Sequence, residues 1–356
     1  MRDLGSLGTH AAWLGKPAKV GSVIPFSMPA SDIFLKLTAG LTRRLRIIKS
    51  KDVVIGLSGG LDSSLAVLVA HATFVKLGYK TKGIHVYSMP CFGTSKRTSN
   101  NAARLCEGLG LTLETIPIEK PVKEHLALIG HDGKTQDTTY ENAQARMRTM
   151  ILMNKANMYK GIVLGTADMS ELALGWCTYN GDHMSMFSIN SGIPKTIVRK
   201  VCKWWIERNE KSKTKLGIAA KALIDVVDTP ISPELLKDQR TEDVIGPYEY
   251  HDFFLWNFIV NEMGPKALFK AATEYFRPRH RRDDVAQVLK NPAELAREKS
   301  EFEQKVAKTE RIFFERFFSQ AFKRNCQPDG IKVYPFELSP RDWWMPSDIG
   351  PVKLFG

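Results

Sequence analysis

The sequence predicts an α/β protein, a doubly wound parallel sheet followed by a mainly helical C-terminal extension. Three observations lead there. Short apolar runs rich in β-branched residues alternate with helical stretches between about residues 48 and 200, the pattern of parallel βαβ units with helices on both faces. The run Val53–Leu57 passes directly into a glycine turn and a long apolar helix, as a central buried strand does. From about Thr196 the strand signals stop and helical patterns alone continue.

Taken in order, residues 1–30 are rich in Gly, Pro and Ser without a sustained period, which predicts a lead-in arm. A helix is expected from about Ser31 to Ile47, then a strand at Val53–Leu57 and a helix at about Ser63–Leu77. Strands at Lys82–Met89, Thr112–Ile118 and Ile162–Thr166 follow, separated by helices near Asn100–Leu109 and Tyr140–Tyr159. Beyond them, helices are expected near Ile197–Asn209, Glu249–Val260, Pro265–Phe276 and Pro292–Phe322, and then a loop-rich tail. The expected organisation is an arm (1–30) and one domain (31–356), with its α/β core at about 48–200 and its helical part at about 201–356. Ligands of such sheets sit at the carboxyl ends of the strands. The loops at Ser58, after Met89 and after Leu164 all open on that edge.

Composition bounds the partners. A formal charge of +13 implies anionic ligands, nucleic acid or phosphorylated small molecules. The basic runs 208–215 and 277–282 lack interleaved aromatics, so they are expected to be solvated loops rather than an RNA surface. No apolar run reaches transmembrane length. Five scattered cysteines without a CxxC pair predict neither a disulfide framework nor a zinc site, and a reducing cytoplasm fits them best.

Chemistry concentrates on Ser58-Gly59-Gly60-Leu61-Asp62-Ser63-Ser64. Gly59 and Gly60 let successive backbone N–H groups turn inward on an anion, and Ser58, Ser63 and Ser64 add hydroxyls. The following helix aims its N-terminus at the same point. No lysine closes this loop as it would in a GxxxxGK[ST] nucleotide site. Asp62 stands there instead, and a carboxylate beside phosphate calls for a bridging Mg²⁺. Further on, Glu171 follows the strand end Gly165-Thr166 and can share that cation, although Ser170-Glu171 also reads as a simple helix cap. Asn142 and Arg146 share a helix face, and Lys195 begins a helix after Pro194.

The Ser58–Ser64 loop resembles that of the PP-loop ATPases, which implies the adenine nucleotide alpha hydrolase-like fold and cleavage of ATP between its α and β phosphates. More of the chain, from about residue 31 onward, resembles the synthetase domain of NAD⁺ synthases, the glutamine-dependent kind in particular. The resemblance is carried by Met89–Thr94, Arg97–Asn101, Tyr140–Arg146, Gly165-Thr166, Ser170–Trp176, Thr178–Met186, Ile193–Thr196, Ser232–Leu235, Thr241–Asp243, Gly246–Tyr248, Arg316–Gln320, Phe322–Arg324 and Pro328–Gly330. Tyr179 and Met186 depart from ammonia-dependent relatives and accord with the glutamine-dependent subgroup.

The resemblance implies amidation of deamido-NAD⁺ to NAD⁺ with ATP and ammonia as substrates. It implies Mg²⁺ on Asp62 and Glu171, with ATP held by Ser58–Ser64, Thr166, Lys195 and Ser232. Asn142, Arg146, Asp182 and Lys323 match positions that hold the dinucleotide. Asp62, Glu171, Lys195 and Lys323 are the residues expected to serve the chemistry. The glutaminase domain of the glutamine-dependent kind has no counterpart before Ser58, and the first cysteine is Cys91, so the expectation is free ammonia, a separate glutaminase, or a chain that is one domain of a longer protein. A homodimer is implied, and Phe253, Phe254 and Trp256 are expected to offer its apolar face. Two alternatives stand beside this reading: another PP-loop enzyme, amidotransferase or tRNA-modifying, and a silent nucleotide-binding protein.

Overall fold

Strand β1 (Val53–Gly56) forms the centre of a five-stranded, all-parallel sheet. On one side lie β2 (Ile84–Ser88) and β3 (Leu113–Thr115), on the other β4 (Ile162–Gly165) and β5 (Phe187–Ser188), giving the order β3-β2-β1-β4-β5. Val53 pairs with both Ile84 and Ile162, so the connection runs outward through β2 and β3 and returns beside β1. That reversal opens a crevice between the carboxyl ends of β1 and β4. The computed structural model describes residues 25–231, 235, 241–283, 292–345 and 347.

The predicted doubly wound sheet is therefore present. Alternation along the strands separates its two faces. Val54, Tyr87 and Val163 pack with Ile118, Val122, Leu126 and Ala143 under helices α4 (Glu119–Leu128) and α5 (Thr138–Tyr159). Opposite, β1 meets α2 (Leu61–Leu77), which also packs against α1 (Ala30–Ile48), α3 (Lys96–Leu109), α7 (Lys195–Asn209) and α8 (Leu216–Asp228). A helix so surrounded must be apolar all round, and Leu65, Ala66, Val67, Leu68, Val69 and Ala70 are all buried. Gly108 lets α3 approach α8 closely, because a Cβ there would lie 2.3 Å from the Ala219 nitrogen.

The structure corrects several element boundaries. The strand expected at Thr112–Ile118 is only Leu113–Thr115, since β3 is an edge strand and Pro117 has no N–H to donate. Helix α3 starts at Lys96, where Ser95 caps it through the Thr98 N–H. Helices α4 and α8 and the two-residue β5 were not expected.

The described residues divide into two units, Met28–Thr241 with Lys323–Trp344, and Glu242–Phe322 with residues 25–27, 345 and 347. The first holds the sheet. The second contains α10 (Tyr248–Ile259), α11 (Pro265–Asp283) and α12 (Pro292–Ser319), preceded by the short α9 (Thr241–Ile245). Its core is aromatic: Phe253, Phe254, Phe313, Phe314 and Phe317 are all fully buried. Phe254 and Phe313 lie 5.8 Å apart, and Phe258 stands edge-on to Phe314 at 5.4 Å, geometry that adds to plain area burial.

Phe253 and Phe254 are thus not the open face expected for a dimer, because the chain's own α11 and α12 cover them. Trp256 packs edge-on against Phe26 at 4.7 Å. The basic run 277–282, expected as a loop, continues α11 through Pro278, and Arg277 pairs with Glu303 of α12 at 2.6 Å. No helix among the described residues is long and apolar enough to cross a membrane.

Candidate active site

The turn after β1 is held by its own hydroxyls. Ser58 Oγ accepts the Gly60 N–H at 3.1 Å and lies 3.1 Å from Ser63 Oγ, while Ser64 Oγ donates to the Gly60 carbonyl at 2.8 Å. Gly59 has φ +89°, and a Cβ on it would lie 2.2 Å from the Thr98 carbonyl oxygen, so both turn and close approach require glycine. No side chain caps α2 at Gly60. The first N–H groups of α2 therefore face the cleft with the positive end of the helix dipole. Ser58, Gly59, Gly60, Asp62 and Ser63 line a cleft of about 690 Å³, whereas Ser64 is buried beneath the turn. A cleft of this size suits a nucleotide-sized ligand.

Helix α6 (Met169–Leu174) starts at the end of β4. Asp168 caps it: Oδ1 accepts the Glu171 N–H at 2.9 Å, and Glu171 Oε2 reaches back to the Asp168 N–H at 3.3 Å. This Asp-x-x-Glu capping box leaves Glu171 Oε1 free to point elsewhere. One Glu171 oxygen thus belongs to the helix cap, and the other faces Lys195 at 2.8 Å.

Lys195 is the first residue of α7, where its N–H donates to Ser170 Oγ at 2.8 Å. Its ammonium lies 2.5 Å from Asp62 Oδ2, 2.8 Å from Asp168 Oδ2 and 2.8 Å from Glu171 Oε1. One cation thus faces three carboxylates. Burial raises the Asp168 carboxyl well above the usual range and pushes Glu171 up to about 7, each against the pull of Lys195. The three carboxylates offer oxygens within 4.8 Å of one another, and Asp62 Oδ1 is buried without a hydrogen-bond partner. An oxygen-only donor set with an unpartnered anionic atom fits a hard divalent cation.

Asp168 escaped sequence reasoning, although Asp168-x-x-Glu171 is itself a legible cap signature. Asn190 was missed as well. Fully buried, it donates through Nδ2 to the carbonyls of Asp62 and Thr166, both at 2.9 Å, tying the start of α2 to the end of β4. Thr166 also lines the cleft, as do Arg97, Arg148 and Arg199, which contribute positive charge to it.

The other four candidates gather round one loop, residues 175–182. Lys323 Nζ donates to the carbonyls of Gly175 at 2.8 Å and Cys177 at 2.7 Å. Thr178 Oγ1 donates to Asn142 Oδ1 at 2.7 Å, and the Thr178 N–H to Asp182 Oδ1 at 2.7 Å. Arg146 Nε donates to the Tyr179 carbonyl at 3.2 Å. Trp176 and Asp182 from this loop line the same cleft as Asp62 and Glu171. Ser232 lies outside the described residues. All five cysteines are free thiols.

Comparison with known proteins agrees with this geometry. A sequence profile of the family described as NAD synthase matches residues 33–279. A glutamine-dependent NAD(+) synthetase from Mycobacterium tuberculosis is 38% identical over 325 residues, 87% of this chain and 46% of that protein. The chain therefore spans about half the length of this curated relative. Among solved structures, a glutamine-dependent NAD(+) synthetase from Cytophaga hutchinsonii has TM-score 0.63 at 18% identity, covering 89% of this chain and 54% of its own. A glutamine-dependent NAD+ synthetase from Acinetobacter baumannii in complex with adenosine diphosphate has TM-score 0.51 at 20% identity, covering 90% and 52%. At these identities the two structures bear on the fold alone.

Proposed function

The chain belongs to the NAD synthase family, and from that premise we propose that it amidates deamido-NAD⁺ to NAD⁺ with ATP and ammonia, releasing AMP and pyrophosphate. The observation that carries this reading is a glycine turn at an uncapped helix start that bears Asp62 rather than a lysine, with Glu171 facing the same point. The name of the Mycobacterium tuberculosis relative, an NAD(+) synthetase, supports NAD⁺ as the product.

A carboxylate does not react usefully with ammonia, because oxide is a very poor leaving group. Adenylation removes that obstacle. The nicotinate carboxylate attacks the α phosphorus of ATP and pyrophosphate departs, after which ammonia attacks the acyl carbon and AMP leaves. No side-chain nucleophile is needed, so the protein's work is positioning and charge stabilisation. Ser58, Ser63 and the N–H groups at the start of α2 hold the departing phosphates, with Thr166 beside them; Ser232 is assigned to ATP by family resemblance alone. Asp62 and Glu171 would hold Mg²⁺, which when bound neutralises phosphate charge as a Lewis acid. Lys195 adds a second positive charge beside them. Asn142, Arg146, Asp182 and Lys323 shape the 175–182 loop against which the dinucleotide lies.

Ammonia is the nitrogen donor at this site in this reading. The free thiols support a cytoplasmic setting. A homodimer belongs to the proposal through family resemblance, and light scattering of active protein at the mass of one chain would refute it. Equal amounts of NAD⁺, AMP and pyrophosphate from ATP, ammonium chloride and deamido-NAD⁺ are the expected products. ADP and phosphate would contradict the mechanism.

A further inference from the structure

The three carboxylates around Lys195 are not equivalent. Asp62 and Glu171 line the cleft and keep 20% and 21% of their side chains open to it, whereas Asp168 is fully buried. One of its oxygens is hydrogen-bonded and the other has an ion pair alone. Oδ1 accepts the Glu171 N–H as the helix cap, and Oδ2 faces the Lys195 ammonium at 2.8 Å. Asp62 Oδ1 has no hydrogen-bond partner, and Asp168 Oδ2 has none beyond its ion pair with Lys195, so the two carboxylates differ in placement: Asp62 lines the cleft and Asp168 does not. A cation arriving through the cleft therefore meets Asp62 and Glu171, which line it, and not the fully buried Asp168.

That cation and the Lys195 ammonium cannot both keep the same two carboxylate oxygens, since like charges at such distances repel strongly in a poorly solvated site. Lys195 has nowhere far to go. Its side chain is 2% exposed, and its backbone is pinned at the start of α7 by the bond to Ser170 Oγ. Moving the ammonium away from all three carboxylates would leave a buried charge uncompensated.

We propose that Asp168 is a positioning residue that retains the Lys195 ammonium at the edge of the cleft when Asp62 and Glu171 take a divalent cation. The assignment rests on the metal reading above and adds to it a division of labour, in which two carboxylates serve the metal and one serves the lysine. Lys195 is thereby both the occupant of the site before the metal arrives and a charge kept beside the phosphates afterwards.

The test is Mn²⁺ binding without nucleotide, followed by electron paramagnetic resonance in the wild type, Asp168→Asn, Lys195→Met and the double variant. Asparagine keeps the cap acceptor and removes only the charge. In the wild-type background Asp168→Asn is expected to weaken Mn²⁺ by tenfold or more, because the ammonium then has only Asp62 and Glu171 to hold and competes harder for them. In the Lys195→Met background the same change is expected to do nothing. Equal weakening in both backgrounds would make Asp168 a metal ligand and overturn the assignment, as would no effect in either. If Lys195→Met fails to fold, anomalous scattering from Mn²⁺ soaked into wild-type crystals decides: Mn²⁺ on Asp62 and Glu171 with Asp168 still on Lys195 supports it, and an Asp168 oxygen bound to Mn²⁺ overturns it. Absence of Mn²⁺ binding to the wild type would instead overturn the metal reading, and this assignment with it.

Discussion

Lys323 closes the C-terminal end of helix α6 by donating from Nζ to the Gly175 carbonyl across 2.8 Å. A cation at this end satisfies a carbonyl the helix leaves unpaired and complements its dipole. The same ammonium donates to the Cys177 carbonyl at 2.7 Å, so one side chain holds the start of the loop that carries Trp176 and Asp182 into the cleft. Lys323→Met keeps much of the length and loses both bonds. KM for deamido-NAD⁺ is expected to rise at least tenfold while KM for ATP changes little. Equal rises for both substrates would show that the loop does not discriminate between them.

Asp62→Asn and Glu171→Gln should each lower turnover on the order of a thousandfold, the scale on which losing one preorganised electrostatic partner is felt. Neither should lower Tm at pH 7. Each replacement relieves repulsion within a cluster of three carboxylates around a single ammonium. Circular dichroism melts alongside steady-state rates check both parts, and near wild-type rates at low Mg²⁺ would remove these residues from the metal site.

His251 predicts an acid limit to stability. It is 1% exposed, its Nε2 donates to the Ile245 carbonyl at 2.8 Å, and burial brings its pKa down to about 4. The folded value lies below the unfolded one of about 6.5, so the contribution is fully present above pH 6.5 and is lost as pH falls from there toward 4. The whole shift corresponds to about 3 kcal/mol. Urea unfolding at pH 7.5 and pH 5 should show the loss in the wild type. It should be smaller by about 2 kcal/mol in His251→Gln, which keeps an amide donor for Ile245 but cannot take up a proton. The same acid loss in both proteins would clear His251 of the effect.

Much of the α/β unit was legible because its signals are local. The β-branched run at Val53, the glycines at 59 and 60 and the apolar helix after them lie within one continuous stretch of chain, and their physical demands leave few other readings. What was not legible depends on partners far away in sequence. Lys195 could be read as a cation at a helix start, but not as the counter-charge of Asp62, Asp168 and Glu171, because that encounter is created by β4 lying beside β1. Asn190 gave no signal at all, since its role is to satisfy two carbonyls distant in sequence, one at the start of α2 and one after β4. Phe253 and Phe254 misled for the opposite reason. Helix α10 is apolar on most sides, which looks like an exposed face until α11 and α12 are packed over it. Strand β5, at two residues, is too short to show any period.

The central claim, that the carboxylate of the dinucleotide is activated by direct attack on the α phosphorus, is tested most directly by following oxygen. Deamido-NAD⁺ labelled with ¹⁸O in the nicotinate carboxylate, incubated with ATP, ammonium chloride and Mg²⁺, should transfer one ¹⁸O to the phosphate of AMP, seen by mass spectrometry, for each NAD⁺ formed. The bond between that oxygen and phosphorus forms in the first step and is never broken again. Label appearing in inorganic phosphate, or AMP formed without it, would contradict the account.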